Sequence, residues 1–109
     1  MNKQESATSA SELLKPYRAR LDSINTQVLG LLSQRMQVCM EIARLKADQN
    51  IAMMQPAQIT HVLDKVRKQS SGLGLCPAYA ASLFSLIIDE TCRQEDALIA
   101  RSRAQGHVK

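Results

Sequence analysis

Two charged residues lie on otherwise apolar stripes of this sequence, where they could hold a charged ligand. The first stripe follows alternating spacings of three and four residues, and its one charged member is Arg35. A guanidinium keeps its proton, so burying it without an acidic partner is costly. Glu95 interrupts a second stripe with the same spacing. The first stripe consists of Leu14, Tyr17, Leu21, Ile24, Val28, Leu31, Arg35, Val38, Ile42 and Leu45, and the second of Phe84, Ile88, Thr91, Glu95 and Leu98. These charges predict a binding site rather than a plain coiled coil.

Two further cations could act with Arg35 on an anionic ligand. Lys46 follows Arg35 by eleven residues, which is almost three helical turns and about 16 Å, so both side chains face the same way. The gap between them suits a small dicarboxylate. Arg18 precedes Arg35 by seventeen residues, about 25 Å away on a different face. We therefore expect Arg18 to reach a shared site only from the second chain of an antiparallel dimer.

A purely structural interpretation competes with each assignment. Arg18 and Lys46 are of a type that usually lies solvated on the surface. Arg35 and Glu95 could form a polar pair that only sets helix register. Thr91 could be an ordinary packed β-branched residue.

The composition limits the class of protein. The chain has 109 residues, of which 45% are hydrophobic and 22% charged, as expected for one globular domain. Its net charge of +4 and its 3% of aromatic residues argue against nucleic-acid binding. Three cysteines without CxxC spacing, and His61 and His107 without suitably spaced partners, argue against a disulfide framework or zinc site. We expect no metal and no other cofactor. Without a signal-peptide pattern or a membrane-length apolar run, we predict a cytoplasmic protein that contacts no membrane.

A long first helix must carry the first stripe. Ser9 and Glu12 have capping-box spacing, which predicts a start at Ser9. Pro16 leaves open a start near Lys15, since proline favours the first turn. The helix should continue to about residue 48. Gly30 costs about 1 kcal/mol relative to alanine inside a helix, which suggests close packing there.

Two shorter helices complete the predicted all-α fold. Pro56 suits the first turn of the second helix, which Gly72 and Gly74 should end. Pro77 opens the third, which should end near Arg101.

The predicted domain covers residues 9–101, with flexible tails at 1–8 and 102–109. Two shorter helices cannot cover the whole first stripe, so we predict a two-fold symmetric homodimer.

Two motifs resemble the all-helical, type II class of chorismate mutases. After Arg18, the stretch LDSINTQVLGLLSQRMQVCMEIARLK looks like that family's first helix, with its L-L-x-x-R motif and a lysine eleven residues on. The stretch LFSLIIDETCRQEDALI is similar to the family's third helix. The resemblance implies three-helix chains that intertwine as a six-helix homodimer with two sites.

The resemblance also implies roles for individual residues. Arg35 and Lys46 would bind the substrate within one chain, and Arg18 would come from the other. Thr91 and Glu95 would contribute from the third helix.

The implied reaction converts chorismate to prephenate in one rearrangement step. It needs no nucleophile and no proton transfer, so the site must hold a reactive conformer and stabilise charge on the breaking ether oxygen. Arg35 and Arg18 would clamp carboxylates, and Lys46 would donate to the ether oxygen. Glu95 could donate to the same oxygen only when protonated.

The second helix departs from the family pattern. Many members carry an acidic residue, and then arginine and glutamate three residues on, near the substrate's ring hydroxyl, where this chain has Gln55, Gln58 and Ile59. The two glutamines could still form hydrogen bonds. Isochorismate-pyruvate lyases and aminodeoxychorismate mutases resemble the same family, so both activities stay open. A non-catalytic helical dimer is the alternative from another class.

Overall fold

Three helices make up the described chain in this computed structural model. The structure describes the backbone of residues 3–52 and 55–106 and the side chains of 9–52 and 55–104. The helices are α1 (Lys3–Asp48), α2 (Pro56–Gly72) and α3 (Pro77–Gly106), and the described residues contain no strand. The all-α prediction with three helices is confirmed, whereas the homodimer stays a prediction. His107 lies outside the described residues.

Two helices extend beyond their predicted limits. α1 begins at Lys3 and passes through Pro16, so both predicted starts, at Ser9 and near Lys15, are wrong. The preceding residues are mostly tolerant of a helix, and the lost hydrogen bond at one proline is small beside so long a helix. α3 continues past Arg101 to Gly106, because the residues that follow include good helix formers.

α1 and α2 end by the same backbone device. Asn50 and Gly74 take left-handed conformations, with φ of 56° and 74°. Next to them, the Ile51 N–H donates to the carbonyl of Lys46 at 2.8 Å, and the Leu75 N–H donates to that of Ser70 at 3.0 Å. This pattern is the usual glycine- or asparagine-based helix stop. It leaves Lys46 in the last turn of α1.

The chain divides into two compact units, residues 1–35 and 36–109. The described part of the first unit is helix alone, and its described side chains up to Gln34 are all exposed. In the second unit α2 packs on α3. Its buried described residues are Ala43, Val66, Ser70, Ala80, Ala81 and Thr91. Such small side chains let helices approach closely but bury little apolar area.

Large apolar side chains remain uncovered in the single chain. On the first stripe, Leu21 is 57% exposed and Leu31 is 63% exposed. A β-carbon added at Gly30 would meet nothing within 4 Å, so the expected close packing at this glycine does not occur within the chain. No helix in the described part of the chain combines the length and apolar character needed to cross a membrane.

Candidate functional site

The second unit brings Lys46 near the turn of α3 that carries Glu95. Lys46 and Glu95 are both half-buried, and both act electrostatically on the thiol of Cys92. Burial raises the pKa of Cys92 most, the carboxylates of Glu95, Asp96 and Asp89 raise it further, and Lys46 opposes them. Lys46, a predicted substrate-binding cation, and Glu95, a predicted hydrogen-bond donor to the ether oxygen, therefore lie near the same thiol, which stays neutral.

Thr91 lies one turn before Glu95 and is buried, with 6% of its surface exposed. Its hydroxyl donates to the Ile87 carbonyl of the same helix at 3.0 Å. In this rotamer the hydroxyl oxygen can only accept from a ligand. This bond holds the side chain in one rotamer, and the role assigned to Thr91 at the site stays a prediction.

Gln55 and Gln58 lie together at the start of α2, and both are exposed. Gln55 is the N-cap residue, but its side chain does not cap the helix; its Nε2 makes only a 3.5 Å contact with the Ala52 carbonyl. The Gln58 N–H donates to the Gln55 carbonyl at 3.0 Å, which fixes the turn. The first turn contains no acidic residue. Two neutral amides are therefore presented where the helix dipole places partial positive charge.

A groove of about 560 Å³ adjoins Lys46. It runs between the end of α1, the following connection and the last turns of α3, and its lining includes Arg103, Asn50 and Ile99. Lys46 and Arg103 give the groove two cations, which suits an anionic ligand. Arg103 was not among the predicted site residues because the third helix was expected to end near Arg101. The basic residues after Arg101 were the signal that could have indicated it.

Arg18 and Arg35 belong to the first unit. Arg35 is half-buried and Arg18 is exposed. The neighbouring Arg20 differs from Arg18, since its guanidinium lies 5.9 Å from the ring centre of Tyr17. The roles assigned to Arg18 and Arg35 stay predictions.

The cysteines Cys39, Cys76 and Cys92 are free thiols. Among the described residues, no group of three or more histidine, cysteine or acidic side chains is placed to hold a metal ion.

Comparisons with known proteins identify the family of this chain. The family model for type II chorismate mutases matches residues 17–96. A 4-amino-4-deoxychorismate mutase of Streptomyces pristinaespiralis is 34% identical over 96 residues, covering 88% of this chain and 74% of that protein. A 4-amino-4-deoxychorismate mutase of Streptomyces venezuelae is 32% identical over 88 residues, covering 81% of this chain and 85% of that protein. The chain therefore belongs to the type II chorismate mutase family and is an isomerase.

Proposed function

We propose that this isomerase acts on 4-amino-4-deoxychorismate and rearranges it as chorismate is rearranged to prephenate. The observation that carries this proposal is the pair of neutral amides, Gln55 and Gln58, at the start of α2. The family pattern has charged residues there, near the ring hydroxyl that the amino group would replace. The names of both similar Streptomyces proteins support the same substrate.

A neutral pair suits an amino group for a simple electrostatic reason. An aliphatic amine is protonated near neutral pH, so an arginine at this position would repel it. Two like charges 4 Å apart cost about 1 kcal/mol in water and about 4 kcal/mol at an effective dielectric constant of 20. The amide oxygens of Gln55 and Gln58 can instead accept its N–H groups, an attraction that the partial positive charge at the start of α2 partly offsets. Replacing the family's arginine by Gln58 thus removes one repulsion of the amine, whereas the loss of the family's two neighbouring carboxylates removes attraction.

The rearrangement itself would use the cations and the carboxyl group. Arg35, with Arg18 from a second chain, would hold the two carboxylates and so select the compact reactive conformer. Lys46 would donate to the ether oxygen as the carbon–oxygen bond breaks, and protonated Glu95 would donate to the same atom. Thr91 would fix the wall of the site. No proton or group passes to the enzyme.

The active form in this proposal is a homodimer. Exposed leucines of the first stripe, such as Leu21 and Leu31, would be covered by the same stripe of a second copy. A cytoplasmic location stays part of the proposal.

Chorismate is the second candidate substrate. It is supported by the family model and by the third-helix motif around Thr91 and Glu95. Parallel assays of the purified protein on 4-amino-4-deoxychorismate, chorismate and isochorismate separate the candidates. We expect kcat/KM to be at least about 10-fold higher for the amino substrate, the discrimination given by 1.4 kcal/mol.

The Gln58→Arg variant tests the electrostatic reason. It should lower kcat/KM for the amino substrate and spare or improve turnover of chorismate. Gln69→Arg adds the same charge at another exposed position of α2 and should change neither. A preference for chorismate in the unmodified protein would reject the proposed substrate, and pyruvate release from isochorismate would indicate a lyase. No turnover of any of the three would leave the non-catalytic helical dimer.

A further inference from the structure

One side of α3 connects the predicted site to the groove beside Lys46. Glu95, Ile99 and Arg103 follow one another at intervals of four residues, so they lie on the same side of the helix. Ile99 and Arg103 line the groove. At 1.5 Å per residue, Arg103 lies about 12 Å along the helix axis from Glu95. The groove therefore continues from the turn of α3 that carries Glu95.

The charges that line this groove are all positive. Lys46 contributes one from the last turn of α1, and Arg103 contributes another from the last turn of α3. The other lining residues in the described part of the chain are neutral. Arg103 makes no ion pair with another described residue. Its guanidinium therefore has hydrogen-bond donors available for an anionic ligand.

A neighbouring groove between the last turns of α1 and α3 differs in its charges. It has a volume of about 300 Å³, and its lining includes Arg44, Arg101 and Asp48. The carboxylate of Asp48 opposes the binding of an anion there. The groove beside Lys46 is larger, at about 560 Å³, and lies within the range for small-molecule sites. An anionic ligand is therefore favoured between Lys46 and Arg103.

We propose that Arg103 is a substrate-binding residue, which pairs with one carboxylate of the bound substrate while Lys46 reaches the ether oxygen. This inference rests on the proposed function, because it takes the ligand of Lys46 to be the dicarboxylate substrate. A guanidinium can bind a carboxylate in bidentate geometry. A carboxylate offers about four acceptor positions, so this pair adds to the carboxylate clamp already proposed. Because the pair exists both before and during the rearrangement, it lowers KM and leaves kcat almost unchanged.

Steady-state kinetics of Arg103 variants test this assignment on whichever substrate the unmodified protein turns over. Arg103→Gln should raise KM about 10-fold, because a charge-assisted pair is lost, and should leave kcat almost unchanged. Arg103→Lys keeps the charge but not the bidentate geometry, so its KM should lie between the two. Circular dichroism should show unchanged helix content in each variant. An unchanged KM in Arg103→Gln, or a loss confined to kcat, would overturn the assignment.

The matched control is Arg101→Gln. Arg101 and Arg103 are both exposed on the last turns of α3, but Arg101 lines the neighbouring groove instead. Its loss removes the same charge without removing the proposed contact, so KM should change by no more than about twofold in salt that screens distant charges. An equal rise of KM in both variants would show that only the net charge of this helix end matters, and would reject a contact with Arg103.

Binding of prephenate separates this assignment from the proposed reaction. Prephenate is the dicarboxylate product of chorismate, and its calorimetric titration needs no turnover. If the unmodified protein rearranges none of the candidate substrates, the proposed function fails, and the titration still tests Arg103. Arg103→Gln should weaken prephenate binding about 10-fold, whereas Arg101→Gln should not. Equal affinity of the two variants, or no binding to the unmodified protein up to about 10 mM, would contradict the role of Arg103.

Discussion

The two units of this chain differ in whether they bury any side chains. In the first unit a single helix presents its leucines and isoleucine to solvent, and no described side chain is buried. The second unit has a small core of mostly small side chains and a groove beside Lys46, although it too exposes large apolar side chains such as Leu73 and Leu86. Covering a leucine contributes about 1.5–3 kcal/mol. The first unit therefore has more apolar surface to cover than its own chain provides for.

The second unit differs because small buried side chains let its helices approach one another closely. Ala43 is completely buried, and Ala80 and Ala81 are nearly so. Small residues fix helix positions without adding much hydrophobic free energy. Lys46, Glu95 and the groove beside Lys46 thus lie in the second unit, while the first unit exposes the apolar stripe that the proposed second copy would cover.

A charge introduced on the first stripe should have the largest effect, on both dimerisation and activity. Leu21→Asp replaces an apolar side chain that a second copy would cover with a carboxylate. The variant should therefore lose both dimerisation and activity. Sedimentation and assays at equal concentration measure the two losses. Ser33→Asp, which adds the same charge on the opposite face of α1, should retain both. A fully active Leu21→Asp protein would show that the first unit needs no partner.

Changes at Glu95 test the second unit. Glu95→Ala removes a proposed donor and should lower the rate about 100-fold or more at every pH. Activity of the unmodified enzyme should fall as pH rises and the carboxyl group ionises. Glu95→Gln donates at every pH, so it should stay active near neutrality and flatten the alkaline fall. If its pH profile matched that of the unmodified enzyme, Glu95 would be a structural residue.

A substitution on the face of α1 opposite the first stripe should have a smaller effect, on the free energy of unfolding. Gly30 lies opposite the first stripe, with open space around it. Gly30→Ala should raise the free energy of unfolding by about 0.5–1 kcal/mol, the difference in helix propensity. Denaturant titration at fixed protein concentration measures it. Destabilisation instead would mean that another chain packs on this face too.

The smallest effect should come from the exposed pair on α3. Arg93 donates to Glu90 through Nη2 at 2.7 Å and through Nε at 2.8 Å, and these bonds, with one from Gln94, lower the pKa of Glu90 from 4.5 to about 2. A lowered pKa contributes stability that is present above pH 4.5 and lost as the pH falls towards 2. Solvent screens this pair, so Glu90→Gln should shift the acid unfolding curve only slightly, and less at high salt. A large shift would give the pair an unexpected structural role.

The sequence predicted those parts of the molecule that depend on local pattern. Helix number, the helix stops around Gly74 and the position of Lys46 in a last turn follow from spacing and turn chemistry. The start of α1 was missed because a capping box at Ser9 marks a possible start without preventing an earlier one. Arg103 was missed because the third helix was predicted to end near Arg101. The groove beside Lys46 was missed because it depends on how the ends of α1 and α3 lie together. No local pattern encodes that packing.

Mixing two inactive variants tests most directly whether two chains share each site. Arg18→Ala and Arg35→Ala subunits are each expected to be inactive, and are unfolded, mixed and refolded together. If one chain supplies Arg18 and the other Arg35, every mixed dimer keeps one intact site. Random pairing then restores about one quarter of the unmodified activity. Arg20→Ala should be fully active by itself. Activity of the mixture no higher than that of the separate variants would contradict shared sites, and with them the proposed role of the first unit.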